Sequence, residues 1–289
     1  MTDFAHLHVA SGFSMRYGSA TPQSLVERAA QYGQPALALT DRDGLYGAVR
    51  FVQAAARAGI AAVLGVDLAM SGGLLDPPPD PARRPVRTPA RGGAIVDPRL
   101  PRVTVLAAGV GDGAFPERRG EHRVGNPWVP TGSGTGLPHA AGWSALCRLV
   151  TDTHLRGERG NPVSTPHRIA AFAAAAGREG GVRPGARSGR GAPPRAAPGP
   201  AALITLLGPD SDVGRALLRG DRDDARALLT AWQALLPPDG LIIEVVCHGG
   251  PDGTPGSRNH AARMLALADE TGIPAILSAA VRHLSLIHI

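Results

Sequence analysis

Between residues 21 and 66, short apolar runs alternate with helix-length segments over connections of only a few residues. Thr21-Pro22 offers an N-cap followed by proline at the first helical position, and Leu25, Val26, Ala29 and Ala30 recur at helical spacing until Gly33 supplies a stop. Residues 36–40 are apolar enough to be buried on both faces; Leu45, Val49, Val52 and Ala56 return to helical spacing up to Gly59, and residues 60–66 read as the next strand. A strand over 4–10 precedes this unit and runs into a Ser-Gly turn. Strands separated by helices over short connections favour parallel pairing through right-handed crossovers, so the fold class is α/β.

Three stretches break the pattern: residues 71–102, 111–138 and 177–200, rich in proline, glycine and arginine. Such composition cannot bury enough apolar area to offset its ordering entropy, and all three read as disordered insertions. The ordered blocks left are 1–70, 103–110, 140–170 and 201–284, with 285–289 an unmatched tail. They add strands over 103–108, 202–207, 241–247 and 273–278, and helices over 142–154, 221–235 and 257–271, started by Asp221 and Ser257 and, for the last, stopped by Gly272. Seven strands of parallel type suit a closed or nearly closed barrel better than a small open sheet.

The net charge is +6, and because the chain has no lysine every basic residue besides histidine is arginine. GC-rich coding with arginine-rich loops accounts for that pattern; a phosphate-binding surface is the alternative. Cys147 and Cys247 stand far apart without CxxC spacing, which argues against a disulfide framework or a finger-type zinc site and fits a reducing cytoplasm. No apolar run approaches membrane-spanning length, so a membrane is not an expected partner.

Candidate chemistry gathers at predicted strand ends. His6 and His8 lie two apart, a spacing that in a strand aims both imidazoles to one face, toward a shared metal pocket. Thr40-Asp41-Arg42-Asp43-Gly44 and Gly65-Val66-Asp67 fall at the carboxyl ends of two further strands, where α/β active sites form. His139, His154 and His167 lie in or beside the biased stretches and read as solvated; Trp128 could stack bases, and Trp143 reads as packing.

Phe4-Ala5-His6-Leu7-His8 with Ser14, Leu39-Thr40-Asp41 with Gly47, and Gly65-Val66-Asp67 resemble the PHP domain, the polymerase and histidinol phosphatase module. Residues 103–108, then Gly142-Trp143-Ser144-Ala145-Leu146-Cys147-Arg148-Leu149, and the blocks 241–248 and 272–284 resemble the branch found in bacterial replicative polymerase α subunits and their error-prone relatives. The resemblance implies a distorted TIM-like (β/α)7 barrel over 1–284, which in metal-competent members holds up to three ions.

The departures from that pattern carry as much information as the matches. Where metal-competent members have ligands, this chain has Ala10, Tyr17 and Arg42, and the closing Asp-x-His is Ala280-Val281-Arg282; the usual glutamate is shortened to Asp67. His8 and Asp67 remain as remnant ligand positions. Two ligands beside two arginines cannot hold a multinuclear hydrolytic site, so the expectation is no catalytic, cofactor-binding or metal-binding residue in this chain. Arg42 and Arg282 are expected to pair with Asp41, Asp43 or Asp67.

The resemblance thus implies the N-terminal, structural and metal-free portion of a cytoplasmic error-prone DNA polymerase used in damage-induced synthesis. Magnesium would serve the full enzyme, and the partners would be DNA, the remaining polymerase domains and other replication or damage-tolerance proteins. The rivals are a free-standing phosphoesterase of histidinol-phosphatase type, and a non-enzymatic DNA-binding module using the arginine-rich loops.

Overall fold

The computed structural model describes residues 4–71, 74, 99–108, 138–156, 160–180 and 201–282, without the side chains of 138–140 and 175–180. Most of the three expected insertions and the whole of the 285–289 tail lie outside the described residues. Among the described residues the elements run α1 (Pro22–Gln31), β1 (Ala36–Leu39), α2 (Ala48–Ala58), β2 (Ala61–Met70), β3 (Arg102–Ala107), α3 (Pro138–Arg156), β4 (Val163–Ser164) and α4 (Pro166–Gly180). They continue with β5 (Leu203–Leu207), α5 (Asp212–Arg219), α6 (Arg222–Leu235), β6 (Leu241–Val246), α7 (Arg258–Thr271) and β7 (Ala275–Ser278).

The local signals act where they were read. The side chains of Thr21, Asp221 and Ser257 each accept a hydrogen bond from a first-turn amide of α1, α6 and α7, and Gly59 and Gly272 end α2 and α7 in the left-handed conformation that glycine adopts without cost.

The sheet runs β1-β2-β3-β5-β6-β7, with β4 beside β2. Parallel pairing holds for β1 with β2, β5 with β6 and β6 with β7, but β3 is antiparallel to both of its neighbours, β2 and β5. This corrects the all-parallel expectation. The run over 4–10 is likewise not a regular strand: it makes isolated parallel bridges, His6 to Leu37 on one side and Val9 to Val281 on the other. Those bridges close the ring, since Ala38 N–H donates to His6 O at 2.8 Å and Ala10 N–H to Val281 O at 2.9 Å. The architecture is a mixed α/β distorted barrel.

The short β4, together with α4 and α5, lay outside the sequence reading, while Arg102, Pro138 and residues 177–180 belong to β3, α3 and α4 although they fell in the expected insertions. The core lies between sheet and helices, with Phe51, Leu68, Leu146, Ile169, Trp232 and Met264 fully buried. Helix α3 approaches the sheet so closely at Gly142 that a Cβ there would stand 2.4 Å from the Ala108 carbonyl oxygen. Trp143, half-buried, packs against this core. Among the described residues no helix is long and apolar enough to cross a membrane.

Candidate functional site at the barrel mouth

The carboxyl ends of the parallel strands place the loop after Val9, the loop after β1 and the ends of β5, β6 and β7 around one mouth. A pocket of about 40 Å³ opens there, lined by His8, Tyr17, Asp67, Glu244, His248 and Arg282 among others. That is room for roughly three water molecules.

Asp67, buried within β2, is the centre of the charge network. Arg102 Nε donates to Asp67 Oδ2 at 2.9 Å, its NH2 donates to Asp43 Oδ1 at 2.9 Å and to the Asp67 carbonyl at 2.6 Å, and Arg42 Nε approaches Asp67 Oδ2 at 3.2 Å. The antiparallel register brings this about: Ala69 faces Arg102 and Asp67 faces Thr104, so the first residue of β3 reaches diagonally back to the carboxylate. Arg102 carries no sequence signal of this role, because it ends a biased stretch without periodicity.

Burial works against the charged form of Asp67, but Arg102 first, then His8 and Arg42, outweigh it and hold the carboxyl below its ordinary range. At Asp43 burial prevails over Arg102 and raises the carboxyl. Arg102, partly desolvated yet bound to both, is held still more firmly protonated than a free guanidinium.

Asp41 is served differently. Its buried carboxylate accepts from Ser11 N–H at 2.7 Å, from Ser11 Oγ at 2.8 Å and from Ser14 Oγ at 2.7 Å. Arg282 turns away to Asp210 at 3.8 Å. Of the expected pairings, then, Arg42 with Asp67 is present, while Asp41 belongs to serines and Arg282 to Asp210. Both arginines also stack on Tyr17, their guanidinium carbons 3.3 and 4.2 Å from the ring centre, a cation–π arrangement in which the ring faces cations. Ala10 is buried and gives its N–H to the closing bridge, and Ala280, also buried, holds a positive φ of 43°.

His6 and His8 do not share a pocket, because 4–10 lacks the regular pleat that would align them. His6 lies at a separate small cavity with Leu25, Gln34 and Leu37, where burial lowers its pKa. His8 lies at the mouth, its Nδ1 2.9 Å from Glu244 Oε1. Burial disfavours the imidazolium, yet Glu244 and then Asp67 more than offset it, and the His8 pKa is raised. Glu244, missed in the sequence, carries a legible signal: one carboxylate inside the apolar run Leu-Ile-Ile-Glu-Val-Val must be paired to be buried. Gly208 makes room for it, since a Cβ there would meet Glu244 Oε2 at 2.4 Å.

Of the other histidines, His154 is not solvated: it is half-buried and its Nε2 donates to the Asp43 carbonyl at 2.6 Å. His167 is exposed, and the His139 side chain and Trp128 lie outside the described residues.

Asp67 is engaged by two guanidiniums, His8 Nδ1 by Glu244, and His248 Nε2 by the Ala279 carbonyl at 2.7 Å. Among the described residues no three His, Cys, Asp or Glu side chains are placed to hold an ion.

The Asp67 network has a pH signature. A carboxyl with a lowered folded pKa contributes stability that is present above its unfolded value, about 4, and lost as pH falls through the lower folded value. Asp43, with its raised folded pKa, works in the opposite sense, gaining folded-state preference as it protonates. Urea melts from pH 5 to pH 2.5 should therefore show a loss of stability that is smaller in Asp67→Asn; equal losses in both proteins would remove Asp67 as a source.

The PHP domain family model matches residues 6–248. An error-prone DNA polymerase of Nocardia farcinica is 32% identical over 283 residues, covering 94% of this chain and 21% of that protein. The error-prone DNA polymerase of Corynebacterium efficiens is 49% identical over 72 residues, 25% of this chain and 7% of that one. Among solved structures, an amidohydrolase from Chromobacterium violaceum aligns with a TM-score of 0.47 at 18% identity, covering 96% of this chain and 87% of that one. The chain spans about a fifth of the length of the Nocardia farcinica relative. By the match over 6–248 the chain belongs to the PHP domain family.

Proposed function

We propose that the chain is the PHP-domain portion of an error-prone DNA polymerase of damage-induced synthesis, and that this portion is a metal-free support for the parts that polymerise. The observation that carries the reading is the double guanidinium contact on Asp67, by Arg102 at 2.9 Å and Arg42 at 3.2 Å, where a metal-competent mouth needs a free carboxylate. Fixed cations there supply the positive charge an ion would bring and leave no ligand set to bind one. The similarity to proteins named error-prone DNA polymerase supports the parent enzyme. Nucleotide addition with magnesium, action on DNA in the cytoplasm and assembly with other replication or damage-tolerance proteins would be properties of that whole enzyme.

One observation favours a second reading. His8 lines the pocket, and its Nε2 is buried without a hydrogen-bond partner, as it would be if it were held ready for an ion in a residual phosphoesterase. Elemental analysis after exposure to zinc and manganese, with a phosphomonoester turnover assay, separates the two. The support reading expects less than about a tenth of an ion per chain and no turnover; stoichiometric metal with turnover, abolished in His8→Ala, would establish the phosphoesterase instead.

A further inference from the structure

We propose that the rim formed by residues 11–18 and 42–50 is a docking surface for single-stranded DNA. Both loops leave the carboxyl ends of adjacent parallel segments, Val9 and β1, and are tied together where Arg42 N–H donates to Ser14 Oγ at 2.9 Å. They therefore form one continuous edge beside the mouth, which meets the pocket at Tyr17.

Three independent features of this edge point to a polyanion carrying flat bases. The first is exposed aromatic and apolar surface beside arginine: Tyr46 is 65% exposed, Val49 68% and Met15 84%, while the Arg50 guanidinium sits 5.6 Å from the centre of the Phe13 ring. Arg16, also exposed, adds a second cation on the same loop as Phe13 and Met15.

The second is charge. Residues 11–18 and 44–50 contain no aspartate or glutamate, and the acids between them are turned inward, Asp41 onto Ser11 and Ser14 and Asp43 onto Arg102. The third is the start of α2. Gly47 stands at its N-cap without a side-chain hydrogen bond, its first turn has no acid, and Arg50 occupies that turn. The Ala48 N–H at this start is bonded to the Leu45 carbonyl and Asp41 Oδ2 lies close to Gly47, so the group this turn leaves to an external anion is the exposed Arg50 side chain, a cation that is disfavoured at the positive end of a helix dipole unless an anion joins it.

Stacking on Tyr46 with phosphates on Arg16 and Arg50 is the combination by which single strands are held without sequence preference. A duplex conceals its base faces and cannot use Tyr46 in this way. The inference rests on the polymerase reading only for the choice of DNA, and its failure would leave the metal and turnover results untouched.

The test measures fluorescence anisotropy of a labelled oligo-dT strand and of a duplex of the same length, across a salt series, on the full chain. Tyr46→Ala should weaken single-strand binding roughly 5- to 100-fold with an unchanged salt slope. Arg50→Gln should weaken it and lower the slope of log K against log salt by about 0.7, the share of one phosphate contact on a single strand. Arg219→Gln, which removes one positive charge at the far end of α5, should match wild type. Equal effects of Arg50→Gln and Arg219→Gln, wild-type affinity in Tyr46→Ala, preference for the duplex, or no binding at all would each overturn the proposal. Far-UV spectra and melting temperatures of the exposed-site variants keep a folding defect from passing as a binding one.

Discussion

Arg102→Met should cost the folded chain about 3–5 kcal/mol, the penalty for leaving a buried charge without its partner. Arg102 and Asp67 are 9% and 4% exposed, so neither is screened by solvent, and Arg102 alone serves two carboxylates and a carbonyl. Methionine roughly fills the volume but abandons Asp67 to Arg42 and leaves Asp43 with the Ala69 amide. Urea unfolding followed by circular dichroism gives the number, and the double variant Arg102→Met, Asp67→Asn should be more stable than Arg102→Met alone, because the neutral amide removes the abandoned charge. A single-variant loss under about 1 kcal/mol, or a double variant worse than the single, would mean that the network does not hold the mouth together.

Trp232→Ala should be similarly damaging, about 3–5 kcal/mol for deleting a large aromatic side chain from a packed interior. Trp232 on α6 is fully buried, and its Nε1 donates to both oxygens of Asp212 on α5 at 3.1 Å. Burial already raises the Asp212 carboxyl against that bond. Trp232→Phe separates the contributions: it keeps most of the ring volume and loses the donor, so it should cost about 1–3 kcal/mol, the penalty for an unsatisfied polar partner. Equal losses in the alanine and phenylalanine variants would assign the whole effect to the hydrogen bond and none to packing.

Much of the frame was legible because it is written in local chemistry. Caps such as Thr21, Asp221 and Ser257 act within a few residues of themselves, and the apolar periods of α1 and α2 need no distant partner to be read. Strand direction is not local. Nothing in the run Arg-Val-Thr-Val-Leu-Ala says that β3 will lie antiparallel between β2 and β5, and that direction alone delivers Arg102 to Asp67.

The candidate site shows the same division. Arg42 could be found because it follows β1 and Asp67 because it lies in the recognisable apolar run of β2. Arg102 could not, and the Asp41 partners, Ser11 and Ser14, are small hydroxyls whose role depends on how one loop folds over another. Helix α5 escaped notice because its eight residues are too few to display a period, although Ser211 before it is an ordinary cap.

The closing bridges also set an order of events. Val9 and Val281 belong to opposite ends of the described chain, so one edge of the sheet has no mate until nearly all of that chain has left the ribosome. Until then the 4–10 run, bridged to β1 on one side through His6 and Leu37, carries an open flank on the other that is capable of pairing with a foreign strand. Contacts so distant in sequence are slow to form, and the molecule therefore passes its most aggregation-prone interval during synthesis, before Val281 arrives to shut the ring.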